Sequence, residues 1–186
     1  MKIKAVQRGR DYFFKHLVDE EKASVLSKLE QLEKALLGLQ YEGKVSSSNH
    51  IKKIEEIVCF LRKKYQEHTK LDEKIIFPFL SKHVPRLYPT LQFLKMESQD
   101  FQGIFEIFDK VLSEFKGKNK ILLRNSIIEQ VRDKGIYLVC LIKNHIHLEE
   151  KSVYRAIFQE LHQEERNLLQ EEIKLFLLKD GKKLKK

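Results

Sequence analysis

The chain has 186 residues and a net charge of +9, and Leu, Ile, Lys and Glu dominate it while Gly is 7, Pro 3 and Trp absent. Such a length predicts one domain with a real core, and so few turn-forming residues favour an all-helical protein over a β-rich one. No stretch approaches the roughly 18 apolar residues of a membrane span, and the first residues turn charged before any apolar run develops, so we expect a cytoplasmic protein.

The positive charge is concentrated at the C-terminus. Residues 174–186 hold six Lys against one Asp, a net of +5, which leaves +4 for the rest of the chain. No aromatic-interleaved patch accompanies this tail, so we expect a solvated segment and no specific nucleic-acid partner. The two cysteines, Cys59 and Cys140, lie on apolar-periodic stretches and are expected to be buried, reduced thiols.

The first half of the chain predicts two helices. Apolar residues at spacings of three and four run from Val18 to Leu36. A loop is expected from Tyr41 to Asn49, because its Ser/Asn end can cap the following helix. The second helix runs from Ile51 through His68 and continues to about Leu80, so Pro78 requires a bend or a place near the helix end.

The second half predicts three more helices after two prolines. The third spans about Thr90 to Phe115 and is followed by a turn at Gly117 to Lys120. The fourth runs from about Leu122 toward Leu161, and an amphipathic stretch follows from Glu164 to Leu178. Four long helices with short to medium loops predict an all-α, up-down-up-down four-helix bundle. We expect the bundle at residues 1–161, a C-terminal helix at 162–180 that packs on it or mediates a homodimer, and a basic tail at 181–186.

Two segments share one pattern of polar residues. In each, a His is followed at +4 by a carboxylate, at +5 by a Glu and at +9 by an aromatic residue. On a helix, positions i and i+4 lie on one face, so two such helices would present two nitrogens and two carboxylates to one cavity. That is the inventory of a carboxylate-bridged metal site in a helical bundle. The first copy consists of His68, Asp72, Glu73 and Phe77. The second copy consists of His145, Glu149, Glu150 and Tyr154.

The absence of other motifs narrows the function. The chain has no Gly-rich phosphate loop, no Cys-x-x-Cys pair and no Ser-centred elbow. Nucleotide-binding, zinc-ribbon and hydrolase functions are therefore not predicted.

The region around His68 resembles the second helix of the hemerythrin-like (HHE cation-binding) family, which carries a His, a carboxylate at +4, a Glu at +5 and then Leu-Phe-Pro. The segment from His145 to Tyr154 resembles the fourth helix of the same family. The resemblance covers about Val18 to Phe158. It implies a four-helix bundle with a mononuclear or dinuclear non-haem iron site, with manganese as the other candidate metal.

Two family positions differ in this chain. The third helix of the family reads Met-x-x-Glu-His-x-x-Gly, and the segment from Met96 to Gly103 keeps the Met and the Gly but places Asp100 where the family has His. On the first helix Lys22 occupies the position where a His is expected, and an ammonium group has no lone pair for a metal. Glu21 is the alternative ligand there.

The resemblance therefore implies His68, Asp72, Asp100, His145 and Glu149 as metal ligands, with Asp72 and Glu149 as bridges if two ions bind. Three carboxylates in a low-dielectric space require a cation, raised carboxyl pKa values or a basic partner. The neighbouring Glu73 and Glu150 are expected to orient the histidines or to replace a ligand. His147 is expected to be solvated.

Two functions from different classes follow. Members of the family bind O₂, sense O₂, NO or iron, handle peroxide, or deliver iron to damaged clusters. Because Asp in place of His favours higher-valent iron or manganese, we expect sensing or redox handling over O₂ storage. The rival is a metal-free interaction protein that docks an acidic partner through its basic tail or last helix. A contact between Lys22 and Asp100 would favour the rival, whereas Glu21 turned inward would favour the metal.

Overall fold

The computed structural model describes residues 22–39, 44–117 and 121–179. No β-strand occurs within these ranges, and the prediction of an all-α protein is confirmed. Predictions that fall on residues 1–21, on the turn at 118–120 or on the basic tail lie outside the described residues. The α-helices are 22–39 (α1), Lys44–Leu71 (α2), Phe77–His83 (α3), Tyr88–Gly117 (α4), Ile121–Glu149 (α5), Arg155–Gln159 (α6) and Gln163–Lys179 (α7).

Two π-helical turns interrupt the long helices, beginning four residues after His68 in the first copy of the repeat and five residues after His145 in the second. Asp72–Ile76 joins α2 to α3, and Glu150–Tyr154 joins α5 to α6. A π-turn inserts one residue into a helical turn and is frequently found at functional sites. Pro78 lies just after the first π-turn, in the first turn of α3. A proline lacks the backbone N–H of a regular helix, and the widened turn immediately before it is where the hydrogen-bond pattern of this helix changes.

The predicted loop between the first two helices is wrong from residue 44 onward, because α2 already begins at Lys44. Serine costs a helix only about 0.5 kcal/mol per residue relative to alanine, so the three serines at 46–48 do not prevent a helix. The helix is stabilised further along by its apolar face, where Ile51 and Ile54 are buried.

The described chain forms two compact units. The first consists of residues 24–65 and 96–146, which are parts of α1, α2, α4 and α5. These four helical segments share one hydrophobic core, so the unit is a helical bundle, as predicted. Gly135 lies at a close approach, because a Cβ there would be 2.6 Å from Leu36 Cδ1. The most completely buried residues of this core are Leu29, Leu32, Leu36, Ile54, Leu61, Phe101, Phe108, Val131, Leu138 and Val139.

The second unit contains residues 22–23, 66–95 and 147–179 of the described chain. Its core combines both π-turn regions with the start of α4 and with α7. The additional C-terminal helix α7 contributes Leu169 and Ile173, which are both 0% exposed. The predicted extra helix is therefore part of a hydrophobic core.

Two further observations concern the surface of the helices. None of the described helices combines the length and apolar character that crossing a membrane requires. The prediction that the cysteines are buried is wrong, because Cys59 and Cys140 are exposed free thiols. Each cysteine follows a buried apolar pair, Ile57 with Val58 and Leu138 with Val139, and the next 100° of helix rotation turns it toward solvent.

Candidate metal centre

Three polar residues of the repeat come together in the second unit. His68 lies in the last turn of α2, and Asp72 opens the π-turn one helical turn later. The four-residue spacing puts both side chains on the same face. Glu149 is the last residue of α5 and the corresponding carboxylate of the second copy. We call His68, Asp72 and Glu149 the carboxylate–histidine trio.

The trio is tightly spaced and mostly removed from solvent. His68 Nε2 lies 3.1 Å from Asp72 Oδ2, and 3.2 and 3.0 Å from the Oε1 and Oε2 atoms of Glu149. One ligand atom from each residue lies within 4.8 Å of the other two. Asp72 is 3% exposed and Glu149 is 2% exposed, whereas His68 is half-buried.

The charges of the trio do not balance. The Nε2 atom of an imidazole carries at most one hydrogen, yet here it faces three carboxylate oxygens. Two ionised carboxylates carry more negative charge than one imidazole can balance, whether or not the imidazole is protonated. Negative charge in a desolvated space is costly unless a cation or a basic group compensates it. A cation held by these three residues would supply such compensation.

The donor atoms also fit a divalent ion. Two ligands with metal–ligand bonds of about 2.1 Å at right angles lie roughly 3 Å apart. The distances of 3.1 and 3.0 Å from His68 Nε2 to the nearest oxygens of Asp72 and Glu149 match that separation. Imidazole combined with carboxylate suits iron and manganese. His68, Asp72 and Glu149 are therefore the residues that would hold such an ion.

His145, the imidazole of the second copy, lies in the first unit and is 3% exposed. Its Nδ1 atom lies 3.0 Å from Glu97 Oε2. The rings of Tyr65 and Phe101 stand edge-on to the imidazole, with centroids at 5.8 and 5.5 Å. A carboxylate on one ring nitrogen fixes the tautomer and the orientation of the ring, which is how metal-binding histidines are commonly held.

Asp100 does not take the inward position that the family motif gives it. It is exposed on α4, whereas Glu97, one turn earlier, is the carboxylate that contacts His145. The apolar spacing of α4 accounts for this placement, because Leu94 and Phe101 are buried and Glu97 lies between them at intervals of three and four. That spacing is the sequence signal for Glu97, which is not among the predicted site residues.

Lys22, at the first-helix position of the family motif, forms an ion pair with Glu150. The ammonium group of Lys22 donates to the carboxylate of Glu150, the residue that follows Glu149. Lys22 is thus paired with a neighbour of the trio, and Asp100 is exposed. Glu21 lies outside the described residues. His147 is exposed, in agreement with its expected solvation.

The helical bundle of the first unit and the buried trio of the second define an all-α protein with a candidate site for a divalent cation. The family model described as Hemerythrin HHE cation binding domain matches residues 16–157. Because the match covers more than half of the chain, the protein belongs to the hemerythrin HHE cation-binding family, as the sequence resemblance indicated. No curated protein and no solved structure matches the chain.

Proposed function

We propose that the protein binds a redox-active divalent cation, iron or manganese, through His68, Asp72 and Glu149. The observation that carries the proposal is the position of His68 Nε2, which faces one oxygen of Asp72 and both oxygens of Glu149 at 3.0–3.2 Å. Membership in a cation-binding family supports the same conclusion.

His145 is the proposed nitrogen ligand of a second ion. Its support is the contact of Nδ1 with Glu97, because a carboxylate beside one ring nitrogen is a common way of orienting a metal-binding histidine. We leave Asp100 out of the proposed ligand set because it is exposed. Metal analysis of the purified protein measures the number of ions bound.

The function proposed for this site is the sensing or handling of O₂, NO, peroxide or iron. When bound, the metal supplies a centre that can coordinate a small oxygen or nitrogen species and exchange electrons with it. Two anionic oxygen ligands for one nitrogen favour the higher-valent metal, which disfavours a stable reversible O₂ adduct. For this reason sensing or redox handling is proposed over O₂ storage, in a cytoplasmic setting.

The residues of the chain have separate tasks in this proposal. Asp72 and Glu149 provide the negative charge that attracts the cation, and their burial keeps water from competing for it. Lys22 neutralises Glu150, so that this carboxylate does not add to the charge of its neighbour Glu149. The Glu97 carboxylate holds the imidazole of His145 in one orientation.

The rival function is a metal-free protein that binds an acidic partner. The Lys22–Glu150 pair is the observation that bears on it, because the rival requires Lys22 to replace the metal charge. In the structure Lys22 forms an ion pair with Glu150, the residue that follows Glu149 of the trio. The arrangement therefore favours the metal-binding function.

Metal analysis of the purified protein tests the proposal. Protein purified without chelator or nickel affinity resin is analysed by plasma mass spectrometry, alongside His68→Ala and the matched control His147→Ala at an exposed histidine. We expect roughly one or two equivalents of iron or manganese in the wild type and the control, and loss of metal in His68→Ala. A wild type without metal after incubation with Fe²⁺ or Mn²⁺, or an unchanged metal content in His68→Ala, would contradict the proposal.

A further inference from the structure

A polar cavity of about 580 Å³ lies within the second unit. Arg86, in the 3₁₀ turn before α4, and Thr90, in the first turn of α4, form part of its lining. Lys151, in the second π-turn, and Arg155, at the start of α6, form another part. None of these residues belongs to the carboxylate–histidine trio.

The one carboxylate of the lining is already neutralised. Glu160 accepts two hydrogen bonds from the Arg86 guanidinium, one of them from Nε to Oε2 at 2.7 Å. A two-point contact of this kind fixes the plane of the guanidinium. Two of its five N–H groups are used, so the fixed Arg86 still has donors for a ligand. The Arg86–Glu160 pair thus contributes oriented donors and no net charge.

Two further cations of the lining lack such compensation. Arg155 Nε donates to the neutral amide oxygen of Gln159 at 2.8 Å, which leaves its positive charge unmatched. Within the described part of the chain, no carboxylate pairs with Lys151 or with Arg155. The lining of the cavity therefore carries two positive charges, both on exposed side chains, that its own carboxylate does not balance.

The π-turn after α5 brings these two cations to the same cavity. Lys151 and Arg155 are four residues apart, and both face the cavity across the turn. Ser152 Oγ donates to the backbone oxygen of Leu148 at 2.6 Å, which leaves its own hydrogen unavailable to a ligand. The ligand donors are therefore the ammonium group, the two guanidinium groups and the hydroxyl of Thr90.

We propose that this cavity binds a small anion that carries a phosphate group, either a diphosphate or a phosphorylated metabolite. A phosphate dianion matches the two uncompensated charges, and its oxygens accept the oriented N–H groups of arginine. The volume of about 580 Å³ lies in the range of small-molecule sites and is larger than the volume that one inorganic phosphate ion would occupy. The polar lining favours a polar ligand over an apolar one.

Isothermal titration calorimetry with inorganic pyrophosphate and with glucose 6-phosphate tests the proposal at about 0.15 M salt. The test variant is Lys151→Gln combined with Arg155→Gln. The matched control is Lys110→Gln combined with Lys134→Gln, which removes two exposed charges from helices of the first unit. The expected result is binding of at least one probe, weakened about tenfold or more in the test variant and changed less than about twofold in the control.

Three results would overturn the proposal. The first is no binding tighter than about 10 mM for either probe. The second is equal weakening in the test and control variants, which would reduce the effect to overall charge. The third concerns metal, since pyrophosphate coordinates metal ions. Binding must persist in His68→Ala and in wild-type protein dialysed against chelator, and its loss in both would place the probe on the metal instead.

Tighter binding of glucose 6-phosphate than of pyrophosphate would assign the cavity to a phosphorylated metabolite, and the reverse order to a diphosphate.

Discussion

Replacing Asp72 by Asn separates the charge of the trio from its shape. The amide has nearly the size of the carboxylate, so the packing around a residue that is 3% exposed is retained. The substitution removes one of the two carboxylates that face His68 Nε2, the one at 3.1 Å. We expect the metal-free protein to fold as the wild type does, and the stabilisation conferred by metal to be lost.

The size of this effect follows from linkage. A ligand at about 100 times its Kd stabilises the folded state by roughly 2.7 kcal/mol, which for a chain of this length raises Tm by about 5–10 °C. If loss of one anionic ligand weakens binding about 100-fold, the same metal concentration stabilises Asp72→Asn by only about 0.4 kcal/mol, or about 1 °C. Differential scanning fluorimetry with and without Mn²⁺ measures the difference.

The control for this experiment is Asp133→Asn, because the side chain of Asp133 is 67% exposed. The control is expected to keep the full metal-dependent rise in Tm. If Asp72→Asn kept that rise as well, the trio would not be the metal site and the reasoning from its geometry would be refuted.

Two further predictions concern stability. Gly135→Ala is expected to lower the free energy of unfolding, because the added Cβ would lie 2.6 Å from the fully buried Leu36. Overpacking of about 2–3 kcal/mol, in the upper part of the usual range, would exceed the gain of about 1 kcal/mol in helix propensity. Gly103→Ala, which has no atom within 4 Å of the added Cβ, should instead stabilise by about 0.5–1 kcal/mol, and equal urea midpoints for the two variants would contradict the packing argument. The pKa of Glu165 is lowered by hydrogen bonds from the backbone N–H of His162 and from the side chain of His83. The ionised Glu165 therefore stabilises the folded state above the ordinary carboxyl pKa of 4.5. This stabilisation is lost as the pH falls through the lower pKa of the folded state. The difference in Tm between wild type and Glu165→Gln should therefore shrink below about pH 4.5, and a difference independent of pH would be the contrary result.

The part of the candidate site that could be predicted from the sequence depends on local geometry. Because residues four apart share a helix face, His68 and Asp72 had to lie together once α2 formed. The second copy of the pattern then indicated Glu149 as their partner, and the structure places all three ligand atoms within 4.8 Å of one another. The all-α class followed equally directly from the apolar periods.

The expectations that differ from the structure depend on tertiary packing or on the family motif. Asp100 was aligned by the motif, whereas the apolar period of α4 turns Glu97 inward and Asp100 outward. The π-turns at 72–76 and 150–154 leave no distinct residue signature, because the energy that supports a widened turn comes from its neighbours in the folded chain. The ion pair between Lys22 and Glu150 joins residues that are distant in sequence, so no local sequence pattern predicts it.

Anomalous diffraction from crystals soaked in Mn²⁺ or grown with Fe²⁺ tests the central claim most directly. The account predicts an anomalous peak at the trio, about 2.0–2.3 Å from His68 Nε2 and from oxygens of Asp72 and Glu149. A second anomalous peak beside His145 would support the proposed second ion. Crystals at saturating metal with no peak at the trio, or with metal bound only elsewhere, would contradict the assignment of His68, Asp72 and Glu149 as the metal site.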